Sequence, residues 1–253
     1  MNKYQIPNIT KTCKILMLLA ENPKGLSASE IEEKSETART TVYRILQTLC
    51  AQEMVQKNKG LFFAGTQLVR IGLESLHSME IRSLCVPYLR DLANKTGCTS
   101  HLAIPTGWQS LILEVHDSPN PVRVASRPGT TVPLYCSSTG KIFLAHIYKN
   151  KLKEYYSNHL PEKFTANTIT TLEEMQEEVN KILEKGYSVD AQEYHNNVCC
   201  LAAPVRNGSR EICASIGITG PSDNLSENRL EGFSEEVITA AENLSKSMGY
   251  SGN

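Results

Sequence analysis

Thr37-Ala38-Arg39-Thr40-Thr41-Val42-Tyr43-Arg44-Ile45-Leu46-Gln47-Thr48-Leu49 carries two stripes. Val42, Ile45, Leu46 and Leu49 recur at helical spacing and form a core face. The opposite face holds Arg39, Thr40, Thr41, Tyr43, Arg44 and Gln47, with no acidic residue among them. A helix that needed only solubility would mix charge signs. This one presents cationic and hydroxyl groups together.

The flanks place that helix. Upstream, Ile15, Leu16, Leu18 and Leu19 mark the apolar side of a first helix, and Asn22-Pro23-Lys24-Gly25 ends it. Ser27-Ala28-Ser29-Glu30 fits a capping box that opens a short second helix through about Lys34. Ser35-Glu36 makes the turn, with Thr37 as the expected N-cap of the third helix. Downstream, Met54–Lys57 and Leu61–Ala64 flank Asn58-Lys59-Gly60, a hairpin signal. Helix, helix, turn, helix and basic-tipped hairpin is the order of a winged helix-turn-helix. In that geometry the second helix of the pair enters the major groove with its first residues facing base edges. Arg39 and Arg44 suit guanine O6/N7, while Thr40, Thr41 and Tyr43 can touch bases or phosphates. Lys57 and Lys59 fall on or near the wing, where they can neutralise phosphate charge.

The net charge is −1 over 253 residues, so no global attraction to nucleic acid exists. Residues 1–65 hold nine Lys/Arg against six Asp/Glu, which makes the N-terminal end the basic one. No apolar run approaches the roughly 20 residues a membrane span requires. Lys11 and Lys14 interrupt any signal-peptide core, so a cytoplasmic protein is expected. The eight cysteines form no C-x-x-C pair and are expected as free, mostly buried thiols.

From Thr66 to Ser78 an amphipathic stretch with Leu68, Ile71, Leu73 and Leu76 predicts a linker helix. Ile81–Lys95 continues as helix, closed by Gly97. Strands are then expected at 100–104, 110–115, 121–126, 187–190, 198–205 and 212–219. Helices are expected at 138–148, 172–185 and 225–248. The expectation is an α+β chain with a largely antiparallel sheet. Its divisions are a DNA-binding domain over 1–65, the linker over 66–79 and a second domain over 80–253.

Several fragments in order resemble the IclR family of bacterial transcription factors. They are Thr40–Leu46, Pro128–Leu134 before Ser137-Ser138-Thr139-Gly140-Lys141, Ala166–Thr170, Gly186–Asp190 with Glu193-Tyr194, Cys200–Val205 and Ile216–Pro221. The resemblance covers nearly the whole chain. It implies a winged helix, a linker helix and a GAF-like domain that binds a small effector. It also implies a homodimer or dimer of dimers on palindromic, double-stranded operator DNA. The chain departs from the family at the turn, where Glu36-Thr37-Ala38 replaces a Gly then Leu-Pro-like entry.

The family's effector positions carry over one by one. Ser138, Thr139 and Gly140, at a helix start, resemble the loop that holds an effector carboxylate, where free N–H groups favour an anion. Asp190 matches a pocket acid and Cys200 a pocket residue. Gly217 and Thr219 match two hydroxyl-bearing positions of the prototype. Thr219 keeps its hydroxyl, and Gly217 is expected to open space. A small carboxylate such as a hydroxy-, keto- or sugar-acid suits these groups, Asp190 accepting from a ligand hydroxyl. No cofactor and no structural metal are implied.

Two alternatives stand beside this reading. Ser138-Thr139-Gly140-Lys141, Ser222-Asp223-Asn224 and Lys95-Thr96-Gly97 spell S-x-x-K, S-D-N and K-T-G, the signatures of serine acyl-enzymes, but in the wrong order. Asp190, His195, Cys199 and Cys200 could make a metal sensor, although adjacent strand residues point to opposite faces.

Overall fold

The computed structural model describes residues 4–252. The chain divides after Met79 into two compact units.

In the first unit, helix α1 (Pro7–Glu21) packs Ile15 and Leu19 into a small core. A two-residue strand β1 (Leu26–Ser27) leads into α2 (Ala28–Ser35). The capping box forms as expected: Ser27 Oγ accepts from the Glu30 N–H, and Glu30 accepts from the Ser27 N–H at 2.7 Å. Helix α3 (Arg39–Ala51) buries Val42, Ile45, Leu46 and Leu49. Strands β2 (Val55–Asn58) and β3 (Leu61–Ala64) pair antiparallel, and β1 adds to β3. Lys59 and Gly60 both take positive φ, 47° and 85°. Such a pair matches the twist of a two-residue hairpin. Helix α4 (Thr66–His77) follows with no buried residue.

The expected cap at Thr37 differs. Thr37 is buried and its hydroxyl donates to the Ser35 carbonyl, while Ala38 stands at the N-cap without a side-chain bond. The turn closes on itself and leaves the start of α3 uncapped.

In the second unit, α5 (Glu80–Thr96) precedes the hairpin of β4 (Thr99–Thr106) and β5 (Gln109–His116). Strand β6 (Thr131–Pro133), helix α6 (Ser138–His146) and helix α7 (Leu152–Asn158) follow. Helix α8 (Leu172–Lys185) starts in a Thr171–Glu174 capping box and stops at Gly186, φ 79°. Strands β7 (Ser188–Ala191), β8 (Val198–Arg206) and β9 (Ile212–Pro221) lead to the closing helix α9 (Glu227–Ser247). The six strands order β6-β5-β4-β9-β8-β7, and every pairing is antiparallel.

Alternation along β4 assigns the faces. Ser100 donates to the Leu89 carbonyl of α5, so its side chain turns toward that helix. His101 therefore turns to the other face. There α6 and α8 join Ala103, Ile112 and Ala202 in the domain's apolar core. Every residue of α6 from Ser138 to Ala145 is buried. Wrapped by sheet and helix, α6 has no solvent face. Residues 121–126 form a loop rather than the expected strand. Their backbone makes a side-chain bond instead, from Thr99 Oγ1 to the Val124 carbonyl.

Candidate functional site

Two groups of residues qualify, one in each unit. In the first, Arg39, Thr40, Tyr43 and Arg44 are exposed along α3, and Thr41 is half-buried. Among the described residues none of Arg39, Arg44, Lys57 and Lys59 joins an ion pair. The uncapped helix start leaves the N–H groups of Arg39 and Thr40 without an intrahelical acceptor. Such a terminus favours an anion. Thr41 and Arg44 also border a groove against Asn8 and Thr12 of α1. Glu36 takes a left-handed backbone, and its carboxylate lies 3.8 Å from Lys14 of α1. On the wing, the Lys57 ammonium lies 5.3 Å from the centre of the Phe62 ring.

In the second unit, a cavity of about 240 Å³ opens over the sheet face that carries α6. Register builds its floor. Asp190 pairs with Cys200, Cys200 with Thr219, and Thr219 with Thr99, so one row crosses four strands. Two residues along, Ser188, Ala202, Gly217 and His101 make the next row on the same face. Ser137, Ser138 and Thr139 form one wall. The Ser137 hydroxyl caps α6 by accepting from the Gly140 N–H, leaving the first-turn amides of Ser138 and Thr139 without an intrahelical acceptor. The loop before β6 contributes Val124, Ser126, Arg127 and Thr130.

Of the effector positions named from sequence, Ser138, Thr139, Asp190, Cys200 and Thr219 border this one cavity. Gly140 and Gly217 are not among its lining residues. A Cβ on Gly217 would stand 2.2 Å from the Leu201 carbonyl oxygen. The missing side chain lets two strands meet closely and does not enlarge the cavity. Gly140 likewise sits against the Leu134 backbone. Thr139 Oγ1 lies 2.8 Å from Ser110 Oγ, so that hydroxyl already has a partner.

Sequence reading missed the groups behind the wall. Lys141 is fully buried, and its Nζ donates to Glu178 at 2.8 Å, to Glu193 at 2.6 Å and to the Val189 carbonyl. The Glu193 N–H donates to Asp190 Oδ1 at 2.6 Å. Burial pushes both carboxyls up against the pull of Lys141, Glu193 to about 7. Lys141 itself is held above its ordinary range, because Glu193 and Glu178 outweigh the burial that opposes its charge. Its three donors are spent on these partners, so it is not arranged as the base of an S-x-x-K pair. Burial also raises the Cys200 thiol well above its usual value, and its Sγ–H donates to Thr219 Oγ1 at 3.2 Å. A thiol kept protonated in this way is a poor nucleophile. Among the described residues no group of three His, Cys, Asp or Glu is placed to hold a metal ion. No described helix is long and apolar enough to cross a membrane.

The likenesses to known proteins follow the same two-part arrangement. Residues 9–59 match the IclR helix-turn-helix domain. Residues 73–246 match the bacterial transcriptional regulator IclR C-terminal domain. The chain is 31% identical to the HTH-type transcriptional regulator BhcR of Paracoccus denitrificans, covering 95% of this chain and 86% of that protein. It is 24% identical to the transcriptional repressor IclR of Escherichia coli, covering 97% and 91%. The crystal structure of Thermotoga maritima IclR superposes with a TM-score of 0.70 at 28% identity, covering 97% and 100%. Both parts of the chain thus have known counterparts, and the chain belongs to the IclR family of transcriptional regulators.

Proposed function

We propose that the protein represses transcription from a palindromic operator and that a small carboxylic acid in the cavity of the second domain controls it. The supporting observation is the convergence of Ser138, Thr139, Asp190, Cys200 and Thr219 on one cavity. An acid's carboxylate fits the first-turn amides of α6, and its hydroxyl donates to Asp190. The volume of about 240 Å³ lies below the usual 300–1,000 Å³ of drug-sized pockets, which favours a small metabolite. Repression follows the names of two relatives, the IclR and AllR repressors.

Recognition of DNA falls to Arg39, Thr40, Thr41, Tyr43 and Arg44 in the groove, with Lys57 and Lys59 on phosphate. A palindrome needs two copies of the reading helix. Val69, Ile71 and Leu73 of α4 are exposed apolar residues, which suits a homodimer contact along that helix. A dimer of dimers is the larger assembly of the same reading. A regulator of this kind works beside the chromosome, in the cytoplasm.

Selection from random duplexes identifies the operator. Replacing Arg39 or Arg44 by Ala then costs about 1–3 kcal/mol on that duplex and relaxes base preference at one position. Unchanged affinity for both variants removes α3 from the groove. A thermal-shift series of small hydroxy-, keto- and sugar-acids tests the cavity, since a ligand of the folded state raises its melting temperature.

A further inference from the structure

One polar group on the cavity floor has no assigned work. His101 is buried on β4, lines the cavity, and its Nδ1 has no hydrogen-bond partner among the described residues. It stands directly opposite Gly217, where the neighbouring strand offers no side chain to cover it. Burial alone holds this histidine down to about 4, so the ring is neutral, with one donor and one acceptor nitrogen. Buried polar groups without partners are uncommon, and each asks for an explanation. Here Nδ1 is the enclosed atom, which leaves Nε2 as the nitrogen that faces the cavity. An enclosed, unpartnered nitrogen is better tolerated as a lone pair than as an N–H. That places the proton on Nε2, as a donor pointed at whatever fills the space.

We infer that His101 is a second reader of the effector, donating from Nε2 to a ligand oxygen distinct from the one that faces Asp190. The inference rests on the reading of this cavity as the effector site. It also narrows the ligand. Asp190 lies on β7 and His101 on β4, with β8 and β9 between them. Three strand spacings put their backbones about 14 Å apart. One oxygenated carbon beside a carboxylate cannot serve both ends of that floor. The ligand class is a polyhydroxy acid with several oxygenated carbons, of which one hydroxyl donates to Asp190 and another oxygen accepts from His101. The apolar residues Ile112, Val132 and Val198 line the space along its carbon chain.

The test uses the full-length protein and four acids of increasing hydroxyl number: glycolate, glycerate, threonate and gluconate. Calorimetric affinities are measured for the wild type, His101→Phe and His101→Gln. The wild type should bind the longer acids on the order of tenfold or more tightly than glycolate, as expected of an added buried hydrogen bond. His101→Phe should erase that gain while leaving glycolate unchanged, and His101→Gln, which keeps a donor, should restore most of it. Glycolate binding as tightly as the longer acids overturns the inference, and so does a gain that survives in His101→Phe. If no acid binds the wild type, the effector reading of the cavity falls as well. Should His101→Phe melt before ligand is added, the wild-type ring reports directly. Its nitrogen resonances, identified by their loss in His101→Gln, must move when the longest binding acid is added, and a stationary ring overturns the inference.

Discussion

Lys141 has no route to water, yet it carries a charge in the middle of the sensor domain. It is tolerated there only because two carboxylates and a carbonyl meet its three donors. The same network ends at Asp190, through the Glu193 N–H, so the cavity wall is stiffened from behind. Glu193 gives this a pH signature. Its folded value of about 7 exceeds the ordinary 4.5, so the folded state binds its proton more tightly. The stability this contributes is complete below about pH 4.5 and is lost as pH rises toward 7. His101 and His146 act oppositely: burial lowers both from 6.5 to about 4, and their contribution disappears as pH falls through that window. A difference measurement separates them. Melting temperature against pH for Glu193→Gln should lack the decline between about 4.5 and 7 that the wild type shows relative to it. Parallel curves would mean that folding leaves the proton affinity of Glu193 unchanged. None of this was legible in the sequence. Lysine is ordinarily a surface residue, and the counter-ions lie 37 and 52 positions away. Asp190, Cys200 and Thr219 were legible because a family resemblance named them. Their meeting in one row depends on strand register, which spacing alone does not fix.

At the scale of elements, the sequence was clearest where a terminus has its own chemistry. Ser27 and Glu30 cap α2 as expected, and Gly97 and Gly186 close α5 and α8 with positive φ. Short elements carried too little pattern: β1 is two residues and β6 three. The Val122-Arg123-Val124 alternation looked like a strand but lacks a paired neighbour, and its backbone turns to Thr99 instead. The wing is an element with a separable role. Lys57 and Lys59 are exposed on a two-residue hairpin, and their contribution to DNA binding should be electrostatic and independent of sequence. Lys57→Ala with Lys59→Ala should weaken binding to operator and random duplex alike. The slope of log affinity against log salt should flatten by about one for each phosphate no longer neutralised. An unaltered slope would put the wing off the DNA. Helix α4 makes a second element-scale claim. Ile71→Glu with Leu73→Glu should lower the mass of the protein in solution to that of the monomer, measured by light scattering. Retained assembly would move the dimer interface elsewhere.

At the scale of the whole molecule, a groove-reading unit of about 79 residues is joined to a sensor unit with its own core. Coupling between them has a simple thermodynamic requirement: the acid must bind the operator-competent and operator-incompetent states with different affinity. Asp190 is the residue whose loss should cut that link without touching DNA. The most direct measurement is therefore operator affinity, by fluorescence anisotropy on the selected duplex, for wild type and Asp190→Ala, with and without the acid that stabilises the wild type. Equal affinities are expected without acid, with a change of about fivefold or more for the wild type when acid is added and no change for Asp190→Ala. An acid response that persists undiminished in Asp190→Ala would contradict this coupling.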